Sequence, residues 1–180
     1  MGKDSANASA SAWVRRFAPL VPAGGAVLDL ACGGGRHSRL FLDRGHPVTA
    51  IDQDVVQSTL ATGAEVIAAD LEGGAPWPLG ERRFAGIVVT NYLWRPLFAA
   101  IRQTLAADGV LIYETFAAGN EAFGRPRNPA HLLRPGELLE QCAGLTIVAY
   151  EDGSTGTAVI QRICAVNGPG PVAVNPAPGR

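Results

Sequence analysis

Three consecutive glycines, Gly33, Gly34 and Gly35, stand just after an apolar run, AVLDLA (26–31), and just before a segment, RHSRLFLD, whose Leu40 and Phe41 share one helical face. A strand that turns through glycine into a helix narrows the fold more than any other stretch of this chain. Glycine reaches backbone conformations that a Cβ resists, and the helix start leaves free N–H groups beside the turn. The alternation then continues. The runs PVTAI (47–51), EVIAA (65–69), FAGIVVT (84–90) and GVLIYET (109–115) read as further strands. Asp54 is a suitable N-cap for a helix to about Thr62, with Gly63 as its end. Pro96 suits the first turn of a helix carrying Leu97, Phe98, Ile101 and Leu105, with Asp108-Gly109 as its stop. Between 71 and 83 the chain is too rich in Gly and Pro for a long helix, so that crossover is short.

A helix over 137–142 precedes two runs, 145–150 and 158–166, joined by the turn-like EDGSTGT. The fold class expected is therefore α/β: a doubly wound, Rossmann-like seven-stranded sheet, mostly parallel with a C-terminal antiparallel hairpin. At 180 residues one core suffices, and residues 11–167 form the expected domain. Residues 1–10 and the Pro/Gly-rich 168–180 are expected to be disordered. The long segment 116–135, without clear period, reads as a lid. With 15 basic and 16 acidic residues there is no global field for gathering nucleic acid, and no apolar run approaches the roughly 18 residues of a membrane span. Cys32, Cys142 and Cys164 are odd in number and far apart, which suggests neither a disulfide framework nor a zinc site. No metal is expected. The first residues lack a targeting pattern, and the location expected is cytoplasmic.

The chemistry concentrates around the glycines. A dinucleotide fingerprint wants G-x-G-x-x-G, but counting from Gly33 gives G-G-G-R-H-S, with Ser38 in place of the third glycine. Asp29 lies inside the preceding strand, where a carboxylate repels a pyrophosphate but favours an ammonium or sulfonium. Asp52, 23 residues on, ends the second strand, where it can accept both hydroxyls of a ribose, and Asp70 ends the third after 18 more. Any one of them reads equally as a cap or a turn residue. Three at successive strand ends, at the sheet edge where open α/β folds bind ligands, point to a site.

On DLACGGGRHS with Asp52 and Asp70, the chain resembles the class I S-adenosylmethionine (SAM)-dependent methyltransferases over about 21–167. Within them it is most similar to small bacterial enzymes of tellurite-resistance type, through RHSRLFLDRGHPVTAID, TNYLWRPLF and GNEAFGRPRNPAHLLRPGELLE. The resemblance implies SAM as cofactor and S-adenosylhomocysteine as product. It implies that Asp29 and the backbone of Ala31, Gly33 and Gly35 hold the methionine portion, Asp52 with neighbouring Gln53 the ribose side, and Asp70 with Leu71 the adenine. Asn91 would line the methionine end. Ala31 stands where many relatives have glycine, and the N-P-P-Y tetrad of enzymes that methylate base or glutamine nitrogens is replaced by Thr90-Asn91-Tyr92-Leu93.

Tyr92 is the residue expected to position the acceptor. His37, Trp94, Arg95, Arg125 and His131 are further substrate candidates, the last two in the basic loop that suits an anion. His46 is expected at the surface. Trp13, on a short helix before the fold, reads equally as a cofactor cover and as packing. The expected acceptor is a small molecule such as a thiol or chalcogen oxyanion, and the expected state monomer or homodimer. An RNA or protein acceptor stays open. The alternatives carried by the same residues are a nicotinamide-dependent oxidoreductase and a non-catalytic SAM-binding module.

Overall fold

The computed structural model describes residues 9–173. Among the described residues there are four short α-helices, α1 (Ala12–Phe17), α2 (Arg36–Asp43), α3 (Phe98–Thr104) and α4 (Glu137–Gln141). The strands are β1 (Val27–Leu30), β2 (Val48–Asp52), β3 (Glu65–Ala68), β4 (Phe84–Thr90), β5 (Leu105–Phe116), β6 (Thr146–Ser154) and β7 (Val159–Val166). They form one sheet in the order β3-β2-β1-β4-β5-β7-β6. The first five run parallel, and β7 is antiparallel to both β5 and β6. The seven-stranded mixed sheet is as the alternation of runs implied. Its winding reverses between β1 and β4, so a crevice opens at the C-terminal ends of those strands.

The period of two along β1 sorts the core. Leu28 and Leu30 face one side, where they pack with Phe98 and Ile101 of α3 and Leu138 of α4. Val27 faces the other with Phe41 of α2 and Trp13, Val14 and Phe17 of α1. Asp29, two residues after Val27, therefore points toward the α2 side. Helix α1 is capped by Ser11 Oγ, which accepts from the Val14 N–H at 3.1 Å, and Trp13 Nε1 donates to Ile163 O at 3.3 Å. Trp13 is thus a packing residue of the sheet.

Three readings of the sequence need correction. The helix expected over 54–62 is two 3₁₀ turns, Val55–Gln57 and Thr59–Ala61. Val55, Val56 and Thr59 are β-branched, and the segment spends its donors on the glycine loop: Ser58 Oγ donates to Gly33 O at 2.8 Å and Leu60 N to Gly34 O at 3.1 Å. Helix α3 stops at Thr104, because Leu105 pairs with Phe84 as the first residue of β5. Asp108-Gly109 is then a kink within that strand, with Asp108 at φ +57° and no room for a Cβ on Gly109, which would sit 2.9 Å from Ala106 O. His46 is buried, its Nδ1 2.9 Å from Gly25 O and its ring edge-on to Phe41. The 116–135 segment is pinned at both ends: Ala118 N donates to Leu133 O, Leu133 N donates to Phe116 O, and Ala117, Leu132 and Leu133 are buried. Of the end segments expected to be disordered, 1–8 and 174–180 lie outside the described residues, Ala10 is buried, and Gly168 O accepts from Thr146 Oγ1 at 2.6 Å.

Candidate active site

Three cavities lie in series along the C-terminal edge of the sheet. The first, about 510 Å³, is walled by the glycine loop, His37, Thr90 and Asn91. The second, about 190 Å³, is walled by Gln53, Asp70, Leu71 and Glu72. Ala31, Asp52 and Tyr92 border both and form the junction between them. The third, about 720 Å³, continues past Asp70, Leu71 and Glu72 to Trp77, Trp94 and Leu97.

Asp52 stands at the junction because β2 ends there. Its Oδ2 accepts from the Gly33 N–H at 2.8 Å and its Oδ1 from the Asp54 N–H at 3.0 Å. A carboxylate has about four lone-pair sites, so two remain to receive a ligand's hydroxyls. Asp70 shapes its own loop, Oδ1 accepting from the Glu72 and Gly73 N–H groups at 2.9 and 3.1 Å. Ala31 sits at φ +54°, a left-handed conformation that strains any residue with a Cβ, and brings its backbone to the cavity wall where a glycine would rest unstrained. Gly33, at φ +51°, has open space around its α-carbon, which leaves room for a ligand to approach the backbone.

Two residues expected to touch the methionine portion are held back from the cavity. Gly35, at φ +79°, is fixed by packing: a Cβ there would meet Ala61 N at 2.6 Å. Asp29 is 1% exposed and lines none of the three cavities, since the strand's alternation turns it to α2. Its Oδ2 accepts from Ser38 N at 2.8 Å and Ser38 Oγ at 2.6 Å. Burial pushes its pKa up to about 6, against the pull of those two bonds and of Arg36. It is still mostly ionised at neutral pH, so a cation in the first cavity feels its charge across the glycine loop.

His37, also buried, accepts from the Ser11 N–H at Nε2 (3.2 Å). Burial, then Arg36, lowers its pKa to about 3, so the ring is neutral and carries its proton on Nδ1, 3.4 Å from Thr90 Oγ1. Tyr92 presents a different case. Its Oη is buried without a hydrogen-bond partner, and burial together with Glu72, Asp70 and Asp52 raises its pKa well above that of a free tyrosine. The hydroxyl keeps its proton and is a donor in need of an acceptor. Cys32, in the glycine loop, has its thiol pushed up to about 11 by burial and is no nucleophile near neutrality.

The other substrate candidates separate. Trp94 lines the third cavity, away from the junction. Arg95 is committed elsewhere: its guanidinium holds Glu137 at 2.7 and 2.9 Å and the carbonyls of Ala130 and Leu132 at 2.7 and 2.8 Å. Arg125 and His131 line none of the three cavities. Reading the sequence passed over Thr90, Arg36, Gln57 and Glu72, all of them wall residues. Thr90 ends β4 and Arg36 opens α2, both elements that the sequence pattern marks, whereas Gln57 arrives on a 3₁₀ turn that the pattern did not announce.

No family model matches the chain, and no curated protein matches its sequence. Solved structures do. The TehB-like SAM-dependent methyltransferase from Corynebacterium glutamicum superposes with a TM-score of 0.63 at 22% identity, over 89% of this chain and 90% of that one. TehB from Haemophilus influenzae gives 0.66 at 16%, over 83% of this chain, which spans 59% of the TehB chain. The 1,6-didemethyltoxoflavin-N1-methyltransferase from Burkholderia thailandensis, solved with its substrate and S-adenosylhomocysteine, gives 0.59 at 22%, over 85% and 75% of the two chains. The chain has the SAM-dependent methyltransferase fold. In this methyltransferase fold the crevice between β1 and β4 is the ligand edge, and there the chain places Ala31, Asp52 and Tyr92. Fold alone assigns no activity.

Proposed function

We propose that the chain is a SAM-dependent methyltransferase acting on a small-molecule acceptor such as a thiol or a chalcogen oxyanion. The observation that carries this reading is the junction at Ala31, Asp52 and Tyr92, which joins a glycine-walled cavity to one walled by Asp70 and Leu71. The donor set fits SAM in order along the crevice. Backbone at the glycine loop suits an amino-acid end, the spare lone pairs of Asp52 suit a vicinal diol, and the Asp70–Leu71 edge suits an amino-substituted flat base. When bound, SAM supplies a methyl group activated on a positively charged sulfur.

The chain's own residues do the rest. Ionised Asp29 favours a cation across the loop without touching it, and neutral His37 adds no opposing charge. Protonated Cys32 keeps the transfer from passing through the protein. Tyr92, bordering both cavities at the junction, is placed to position the acceptor with its ring. Among the described residues the crevice holds neither a thiolate nor a free imidazole base, which suits an acceptor that ionises by itself near neutral pH. Holding two reactants in line can contribute about 7 to 11 kcal/mol in favourable cases, so positioning is the main contribution asked of the protein. A thermal-shift titration with SAM, S-adenosylhomocysteine and NADH in parallel tests the reading. At 100 times its dissociation constant a specific ligand stabilises by about 2.7 kcal/mol, a shift of several degrees. The first two are expected to raise the midpoint and NADH to leave it. A shift with NADH alone would replace the reading with a nicotinamide enzyme.

A further inference from the structure

The third cavity is left over by that reading: it begins where the adenine edge ends and leads away from the glycine loop. It exists because the β3–β4 crossover carries no helix, so the chain from Asp70 to Pro78 lies as an open loop facing the turn Arg95–Leu97 and the start of α3. Its walls are two half-buried indoles, Trp77 and Trp94, with Pro76, Pro96 and Leu97. At about 720 Å³ it is the size of a drug-sized ligand site. The polar side chains at the mouth are Asp70 and Glu72, both exposed carboxylates. Indole faces favour flat rings and cations, and the carboxylates reject anions.

We infer that this cavity is a second ligand site, adjoining the Asp70–Leu71 end of the cofactor crevice, for a planar aromatic molecule that is neutral or cationic. The inference stands whether or not the crevice binds SAM. Calorimetric titration of the full chain with probes of one ring and three charges, 1-naphthylmethylammonium, 1-naphthol and 1-naphthoate, tests it. The ammonium is expected to bind at least tenfold more tightly than the carboxylate, with the phenol between. Trp94→Ala should weaken the ammonium at least tenfold, and Trp94→Leu replaces it should the alanine variant not fold. Glu72→Gln, at an exposed position, should shrink the gap between ammonium and carboxylate while leaving the phenol unchanged. Saturating S-adenosylhomocysteine should leave the ammonium's affinity within twofold. Equal binding of all three probes, indifference to Trp94, or displacement by S-adenosylhomocysteine would each overturn the inference. Failure of the SAM reading would show as absent S-adenosylhomocysteine binding with the probe results intact.

Discussion

Asp29 and Glu137 are two carboxylates of equal burial, each 1% exposed, and they titrate in opposite directions. Asp29, at the junction of β1 and α2, is hydrogen-bonded only to the neutral donors of Ser38, and burial outweighs these bonds and the more distant charge of Arg36 to raise its pKa to about 6. Burial also raises Glu137, but the hydrogen bonds of Arg95 and the Arg134 N–H, with the charges of both arginines, reverse it and hold the group below its usual range. Solvent exposure is therefore not what separates these two carboxylates; their partners are. Glu137 is matched by cations of the protein and clamps the 129–134 loop to the turn before α3. Asp29 has no ion-pair partner among the described residues, and the charge of Arg36 offsets its burial only in part.

The strongest way to break this contrast is Glu137→Ala. It leaves the Arg95 guanidinium, 34% exposed, without its partner and frees the loop carbonyls it holds, so a loss of about 3 kcal/mol in denaturant-derived stability is expected. Ser38→Ala comes next. It removes the 2.6 Å bond to an ionised Asp29, should cost about 2 kcal/mol at pH 7, and should cost less at pH 5, where Asp29 is protonated. The same variant raises the Asp29 pKa further.

The pH dependence sharpens the contrast. A raised Asp29 means that the folded state holds the extra proton between its ordinary value and about 6, so its contribution to stability grows as pH falls through 6. A lowered His37 means that the unfolded state holds the extra proton between about 3 and 6.5, so its contribution is lost as pH falls through 6.5. The two oppose each other, and each substitution should unmask the other. Urea midpoints of Asp29→Asn should fall on acidification below 6.5, and those of His37→Gln should rise from pH 6 to 4.5, each by up to about 1.4 kcal/mol per pH unit. The smallest effect is expected from Ala31→Gly. Relief of the left-handed strain at φ +54° is largely offset by the extra freedom of glycine in the unfolded chain, leaving a change within about 1 kcal/mol in thermal unfolding.

The central strands were legible because burial on both faces writes an unbroken apolar run, and β4 falls on FAGIVVT to the residue. Asp52 and Asp70 were legible because strand ends in such a sheet share one edge. What failed depended on partners distant in sequence. The 54–62 stretch has a helix cap and no β-sheet pattern, yet its donors go to the carbonyls of Gly33 and Gly34. His46 looked polar until Phe41 and Gly25 closed around it. Arg95 looked like a ligand residue because its partner, Glu137, lies 42 residues away. The tryptophan cavity needs Trp77 and Trp94 from two separate loops, and neither sequence neighbourhood announces it.

The central claim, that the crevice at Asp52 holds the ribose of SAM, is met most directly by calorimetric titration of S-adenosylhomocysteine into the wild-type chain and Asp52→Ala, with thermal unfolding to establish that the variant folds. The account predicts one site per chain in the wild type and an affinity at least tenfold lower in the variant. Equal affinity in the two proteins would contradict it.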